Sequence, residues 1–265
     1  MQKKLLKLVT ILFVLTLSGC SIFSDKKDDD KDWAAAKLYS EARDELSNGA
    51  YERSIQLFQR LEARYPFGVY AQQAQMEIAY VYYRKGEPEE ALAAIDRFIK
   101  LHPNHPNVDY LYYLRGLVTF SDKGNILNVL FLQDPTERDP KAARESFDAF
   151  KQLVDRFPNS GYAPDATARM KYLVNALAQY EVHVAQYYYR RGAYLAAANR
   201  AQAAVNNFRT APAVEEALFT MVRSYDKLGM VTLRDDAERV FKKNYPESRF
   251  LKDGSDGHWW NFFKI

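Results

Sequence analysis

Apolar positions along this chain recur with the spacing of helices buried on one side. Between residues 38 and 66, Leu38 and Ala42 fall one turn apart and Gly49 permits a reversal. Tyr51, Ile55, Phe58 and Leu61 then line a second stripe at i, i+4, i+7, until Pro66 ends it. The pattern returns with Ile78, Ala79 and Tyr82, then Gly86, then Ala91, Leu92, Ile95 and Phe98, closed by Pro103. A third unit places Arg115 and Gly116 on its first helix and Phe147, Phe150 and Leu153 on its second. The fourth carries Ala185, Tyr188, Gly192, Tyr194, Ala197, Ala201 and Ala204; the fifth carries Leu218, Val222, Tyr225, Gly229, Val240 and Phe241. No segment alternates apolar and polar residues between hairpin turns, so no sheet is expected.

The units end at Tyr65-Pro66, His102-Pro103, Phe157-Pro158, Phe208-Arg209 and Tyr245-Pro246, at intervals of 37, 55, 51 and 37 residues. The period is 37, with insertions in the two middle units. These positions resemble the tetratricopeptide repeat, whose small residue on the first helix admits the close approach of the second. The expected fold class is all-α, an α-solenoid of five tetratricopeptide-like helix pairs over 33–250. Each pair hides its apolar face only by stacking on its neighbours, and the stack is expected to leave a concave surface. Most of the tyrosines and phenylalanines are accordingly core residues.

Two departures from the period stand out. The third unit exceeds it by 18 residues, around 121–140, with an apolar middle from Ile126 to Leu132. A long apolar loop either folds down as a lid on the adjacent repeat or docks a partner. In the fourth unit nothing breaks a helix between Pro164 and Arg191, which predicts a helix nearly twice the usual length.

The ends read differently. Lys3, Lys4 and Lys7 precede an apolar run from Leu8 to Leu17, too short to span a bilayer stably, which predicts a cleaved export signal over 1–19. Leu17-Ser18-Gly19-Cys20 resembles the lipobox of bacterial lipoproteins, which implies that Cys20, the chain's one cysteine, is acylated after cleavage and anchors the protein in lipid. Ser21 stands where an aspartate often retains such proteins at the inner membrane; its absence implies the outer membrane, facing the periplasm. Residues 20–32 are expected to be a lipidated, solvated tether. Its Asp28-Asp29-Asp30 run is a poor metal site, because adjacent carboxylates repel and no loop preorganises them. Residues 251–265 form an aromatic tail with Trp259, Trp260, Phe262 and Phe263, which either caps the last repeat or meets a partner or the lipid interface.

Charge narrows the function. Without residues 1–19 the 37 basic residues fall to 34, matching the 34 acidic ones, so neither nucleic-acid binding nor polybasic membrane adsorption is expected. There is no phosphate-cradling glycine loop, His-Glu-x-x-His, paired-cysteine spacing or nucleophile elbow, and His102, His105, His183 and His258 are scattered. No metal, cofactor or catalytic residue is expected. A lone helical glutamate working as in lytic transglycosylases stays open as an alternative, but nothing sets one glutamate apart.

The strings Arg64-Tyr65-Pro66-Phe67-Gly68, Ala94-Ile95-Asp96-Arg97-Phe98-Ile99, His105-Pro106-Asn107-Val108-Asp109-Tyr110, Arg138-Asp139-Pro140 and Tyr162-Ala163-Pro164-Asp165-Ala166 go beyond generic repeat consensus. With the lipobox and acidic tether they resemble the BamD family of the outer-membrane β-barrel assembly (BAM) machinery, over nearly the whole mature chain. The resemblance implies a scaffold whose N-terminal repeats receive the C-terminal signal strand of unfolded outer-membrane β-barrel proteins, with Tyr65, Phe67, Gly68 and Arg53 as candidate contacts. It also implies that the C-terminal repeats dock on the POTRA domains of BamA through Arg200 and Asn199, beside accessory BAM lipoproteins. After Tyr51, where a known member carries arginine, this chain has Glu52 followed by Arg53. A pilotin-like repeat lipoprotein that escorts secretin subunits is the alternative.

Overall fold

In the computed structural model, residues 33–120 and 140–252 are described, and they are helical with no strand among them. Cys20, the tether, residues 121–139 of the insertion and the tail from 253 lie outside the described residues. In chain order the helices are α1 (Ala35–Ser47), α2 (Tyr51–Arg64), α3 (Val69–Lys85), α4 (Pro88–Leu101), α5 (Val108–Thr119), α6 (Lys141–Arg156), α7 (Ala163–Arg190), α8 (Tyr194–Asn207), α9 (Val214–Lys227), α10 (Val231–Asn244) and the single turn α11 (Arg249–Lys252). Helices α1 to α10 form the five expected pairs.

Four of the five pairs turn on one local device, and all five end on another. After α1 the backbone turns through Gly49 at φ +77°, and the Ala50 amide donates to the Glu45 carbonyl five residues back, at 2.9 Å. This bond defines the Schellman motif, and its left-handed residue is one glycine adopts without steric cost. The same five-back bond follows Gly86, Gly192 and Gly229, at 3.0 Å each. The second helices end on the ring residues that mark the repeat. Tyr65, His102, Phe157, Phe208 and Tyr245 all adopt φ between −126° and −132° with ψ between 46° and 64°. A following proline excludes the helical conformation at four of them. Phe208 precedes Arg209 and turns the same way, held by packing on the core around Ala204 and Ala211.

The chain divides into two compact units, at Gln75 and Met76. In the first, Leu38, Ala42 and Leu46 of α1 meet Ile55, Leu57, Phe58 and Leu61 of α2, all buried. The Ser54 hydroxyl donates to the Ala42 carbonyl at 2.8 Å, which places the two helices almost in backbone contact.

In the second unit, three clusters follow one another. Ala79, Ile95, Phe98, Leu111 and Leu114 join α3, α4 and α5; Val108, Tyr112, Phe150, Leu153, Ala166 and Leu173 join α5, α6 and α7. The third runs from Ala178 and Val182 of α7 through Ala198, Ala201 and Ala204 of α8 to Leu218 and Phe241. At 28 residues, α7 is about 42 Å long and belongs to both later clusters. Val240, expected in the last core beside Phe241, is instead 42% exposed while Phe241 is 1% exposed. Adjacent helical positions lie about 100° apart on the wheel, so only one of them faces inward.

Two of the strings singled out in the sequence meet here. Ser160 Oγ donates to Asp109 at 2.6 Å, and Tyr162 lies 5.7 Å from the Tyr110 ring and stacks on Tyr113 at 4.8 Å. The Tyr113 hydroxyl donates to Asp165 at 2.7 Å, and Arg169 Nε to the same oxygen at 2.6 Å. The Tyr113 bond and then Arg169 hold the Asp165 carboxyl below its ordinary value of 3.8, while burial and that carboxylate push the Tyr113 hydroxyl up.

Two predictions follow from this packing. A Cβ on Gly116 would lie 2.4 Å from Phe150 Cδ1 and Cε1, so Gly116→Ala is expected to destabilise the chain by about 1–3 kcal/mol. Thermal unfolding followed by circular dichroism should shift down by about 2–4 °C per kcal/mol, and Phe150→Leu in the same chain should recover part of the loss. Asp165 is bound more tightly as the carboxylate, so its contribution is present above the ordinary carboxylate value and lost as pH falls through the depressed one. Asp165→Asn should therefore unfold at a lower temperature than the parent at pH 7, with the difference vanishing in strong acid.

Candidate functional site

The first candidate surface is built on the turn between α2 and α3, in the first unit. Tyr65 caps α2, and its hydroxyl donates to the Trp33 carbonyl at 3.1 Å; Arg64 Nη1 reaches the same oxygen at 3.4 Å. Trp33 in turn carries the Lys37 ammonium 4.1 Å above its ring. The first described residue is thus tied onto the turn. Beyond Pro66, Phe67 is 93% exposed, and Gly68 at φ +112° bends the backbone through a region closed to most side chains. Val69 and Tyr70, which open α3, are also exposed. Tyr70 nonetheless rests on Tyr39 at 5.8 Å, and Tyr39 on the buried Phe58 at 5.7 Å. An apolar patch of Phe67, Val69 and Tyr70 therefore stands on a foundation anchored in the core.

Tyr65, Phe67 and Gly68 are consecutive parts of this surface. Arg53 is not beside them: it sits half-buried in the first turn of α2, about 16 Å along the helix axis from Arg64.

The second surface lies on α8. Arg200 is half-exposed, and its Nη1 donates to Glu181 Oε2 of α7 at 3.1 Å. Glu181 is buried, and Arg144 of α6 approaches its other oxygen at 3.8 Å. A carboxylate taken out of water requires such partners, and two guanidinium groups on either side supply them. The arrangement also fixes Arg200: one edge is held by Glu181 while nearly half of the side chain remains in solvent. Asn199 beside it is exposed. The residue that sequence reasoning missed is Glu181, which nothing distinguishes from any other glutamate on a long helix until α6, α7 and α8 are packed.

Among the described residues, no cluster of His, Cys, Asp and Glu could hold a metal ion, and no helix is long and apolar enough to cross a membrane.

The chain is similar to known proteins over most of its length. Residues 31–240 match the family model YfiO, described as an outer membrane lipoprotein. The "Outer membrane protein assembly factor BamD" of Neisseria meningitidis serogroup B (strain ATCC BAA-335 / MC58) is 48% identical over 97% of this chain and 98% of its own length. The protein of the same name from Xylella fastidiosa (strain Temecula1 / ATCC 700964) is 37% identical over 94% of this chain and 84% of its own. Among solved structures, the TPR domain of P58(IPK) covers 83% of this chain and 54% of its own, at 13% identity and a TM-score of 0.39, which adds nothing to the helix pairs already described. The chain belongs to the YfiO family of outer membrane lipoproteins, among the relatives named BamD.

Proposed function

We propose that this protein is a non-catalytic scaffold subunit of the BAM machinery, anchored in the outer membrane through acylated Cys20 and facing the periplasm. Its first unit receives the C-terminal signal strand of unfolded β-barrel proteins, and its α7–α8 region docks on the POTRA domains of BamA. The observation that carries the first part is Phe67, an aromatic side chain left 93% exposed on a turn whose backbone is fixed on both sides. An extended strand ending in an aromatic residue gains affinity by covering such a patch and specificity from the turn's fixed backbone. Arg200 supports the second part. A guanidinium presents a planar fork that matches a carboxylate bidentately, and the Nη1 bond to Glu181 limits its freedom before any partner arrives.

Each part has its own test. Phe67→Ala removes an exposed ring and should leave the helical circular dichroism signal unchanged. It should weaken binding of a barrel C-terminal peptide by about 1–2 kcal/mol, roughly tenfold in Kd. Tyr65→Ala should also reduce cross-linking to that peptide, since it loosens the turn. Equal binding by the Phe67 variant would move the substrate site elsewhere. Arg200→Glu should cut co-purification with BamA, by about 2 kcal/mol or more; because it also sets a second carboxylate against buried Glu181, Arg200→Gln, which avoids that repulsion, should show a loss of the same direction with the helical signal kept. Arg200→Lys, which keeps the charge without the fork, should fall between Arg200→Glu and the parent. Undiminished recovery of BamA with Arg200→Glu would remove Arg200 from the interface.

A further inference from the structure

Beyond Asp165, helix α7 holds one carboxylate, Glu181, and α8 holds none. Arg200 is the only charged residue on α8. Glu181 is thus the one anion these helices offer there, and its side chain is only 7% exposed.

Two guanidinium groups approach it, one at each oxygen. Arg200 Nη1 hydrogen-bonds Oε2 at 3.1 Å. Arg144 Nη2 stands 3.8 Å from Oε1, inside ion-pair range but beyond a hydrogen bond. The Arg144 amide donates to the Pro140 carbonyl at 3.0 Å, so the backbone beneath this second guanidinium is already fixed in the first turn of α6. Of the nearby carboxylates on α6, Glu145 is drawn to Lys141 at 3.8 Å, and among the described residues Asp148 forms no ion pair with Arg144.

One carboxylate neutralises one guanidinium, so the cluster keeps an uncompensated positive charge. Arg144 is 58% exposed and Arg200 47%, so that charge is presented to solvent on side chains with donors to spare. Glu181 meanwhile holds close together two like charges that would otherwise repel.

We infer that Arg144 is the second arm of the docking site: Arg144 and Arg200, bridged by Glu181, take an acidic side chain of the partner between them. This deepens the docking of the α7–α8 region proposed above and rests on it. With the partner's carboxylate in place, two guanidinium groups face two carboxylates, and no net charge is left where water is expelled.

The test measures the Kd of the full-length lipoprotein for BamA, both in mild detergent, at about 0.01 M and about 0.15 M salt, where charges are screened over about 30 Å and about 8 Å. Arg144→Gln should weaken binding about fivefold at the lower salt and less at the higher, while Arg144→Lys keeps most of the affinity. The helical signal should be unchanged in both, because Arg200 stays on Glu181. A purely structural Arg144 would lower the unfolding temperature and leave Kd and its salt dependence at the parent values. Parent-like binding by Arg144→Gln, beside weakened binding by Arg200→Gln, would overturn the second arm alone. Parent-like binding by both variants would overturn the docking reading with it.

Discussion

The architecture depends on how closely the two helices of a repeat approach. In the first pair, Ala42 is small enough for the Ser54 hydroxyl to bond its carbonyl, and Phe58 one turn later fills the space beside it. In the third pair Gly116 takes the place of Ala42, Ser146 bonds its carbonyl at 3.0 Å, and the Phe150 ring lies where a Cβ would be. In the fourth pair Ala197, Ala198, Ala201 and Ala204 of α8 are all fully buried. Because interior packing tolerates no extra methyl group, these small residues set the separation within each pair. That separation, with the fixed turns at either end, sets where every surface residue stands.

Helix α7 carries that order through the second unit. Its first half packs with α5 and α6 and its second half with α8 and α9, so the two clusters share one rigid rod. The same rod holds Glu181, and thereby Arg200, near its middle, and Tyr189 near its C-terminal end. A side chain tied to such an element has less freedom to lose when a partner binds it than one on a loop. The first unit uses a different device. The turn bearing Phe67 is held by Tyr65 and Arg64 on the Trp33 carbonyl and by the Tyr70–Tyr39–Phe58 contacts, so an exposed apolar patch is kept in place without being buried.

Much of this was legible in the sequence, and for local reasons. Glycines at the first turns and ring residues at the unit ends determine backbone conformation within a few residues, so the five pairs and even the long α7 could be read from spacing. What spacing could not give were contacts between segments far apart in the chain. The Trp33 carbonyl is 32 residues from the tyrosine that binds it, and Asp165 is 52 from Tyr113. Glu181 lies 19 residues before Arg200, and only three packed helices reveal it as the partner. Arg53, a candidate contact implied by resemblance, lies at the other end of α2 from the turn that bears Phe67. Val240 is apolar yet faces out, because its neighbour Phe241 already occupies the inward face.

The central claim is that this chain works as a stable member of an assembly in the outer membrane. Mild-detergent affinity purification of the full-length lipoprotein from envelopes, with partners identified and quantified by mass spectrometry, addresses it most directly. The account predicts recovery of a POTRA-bearing β-barrel protein in near-equal amount; recovery of a secretin in its place, or of no partner at all, would contradict it.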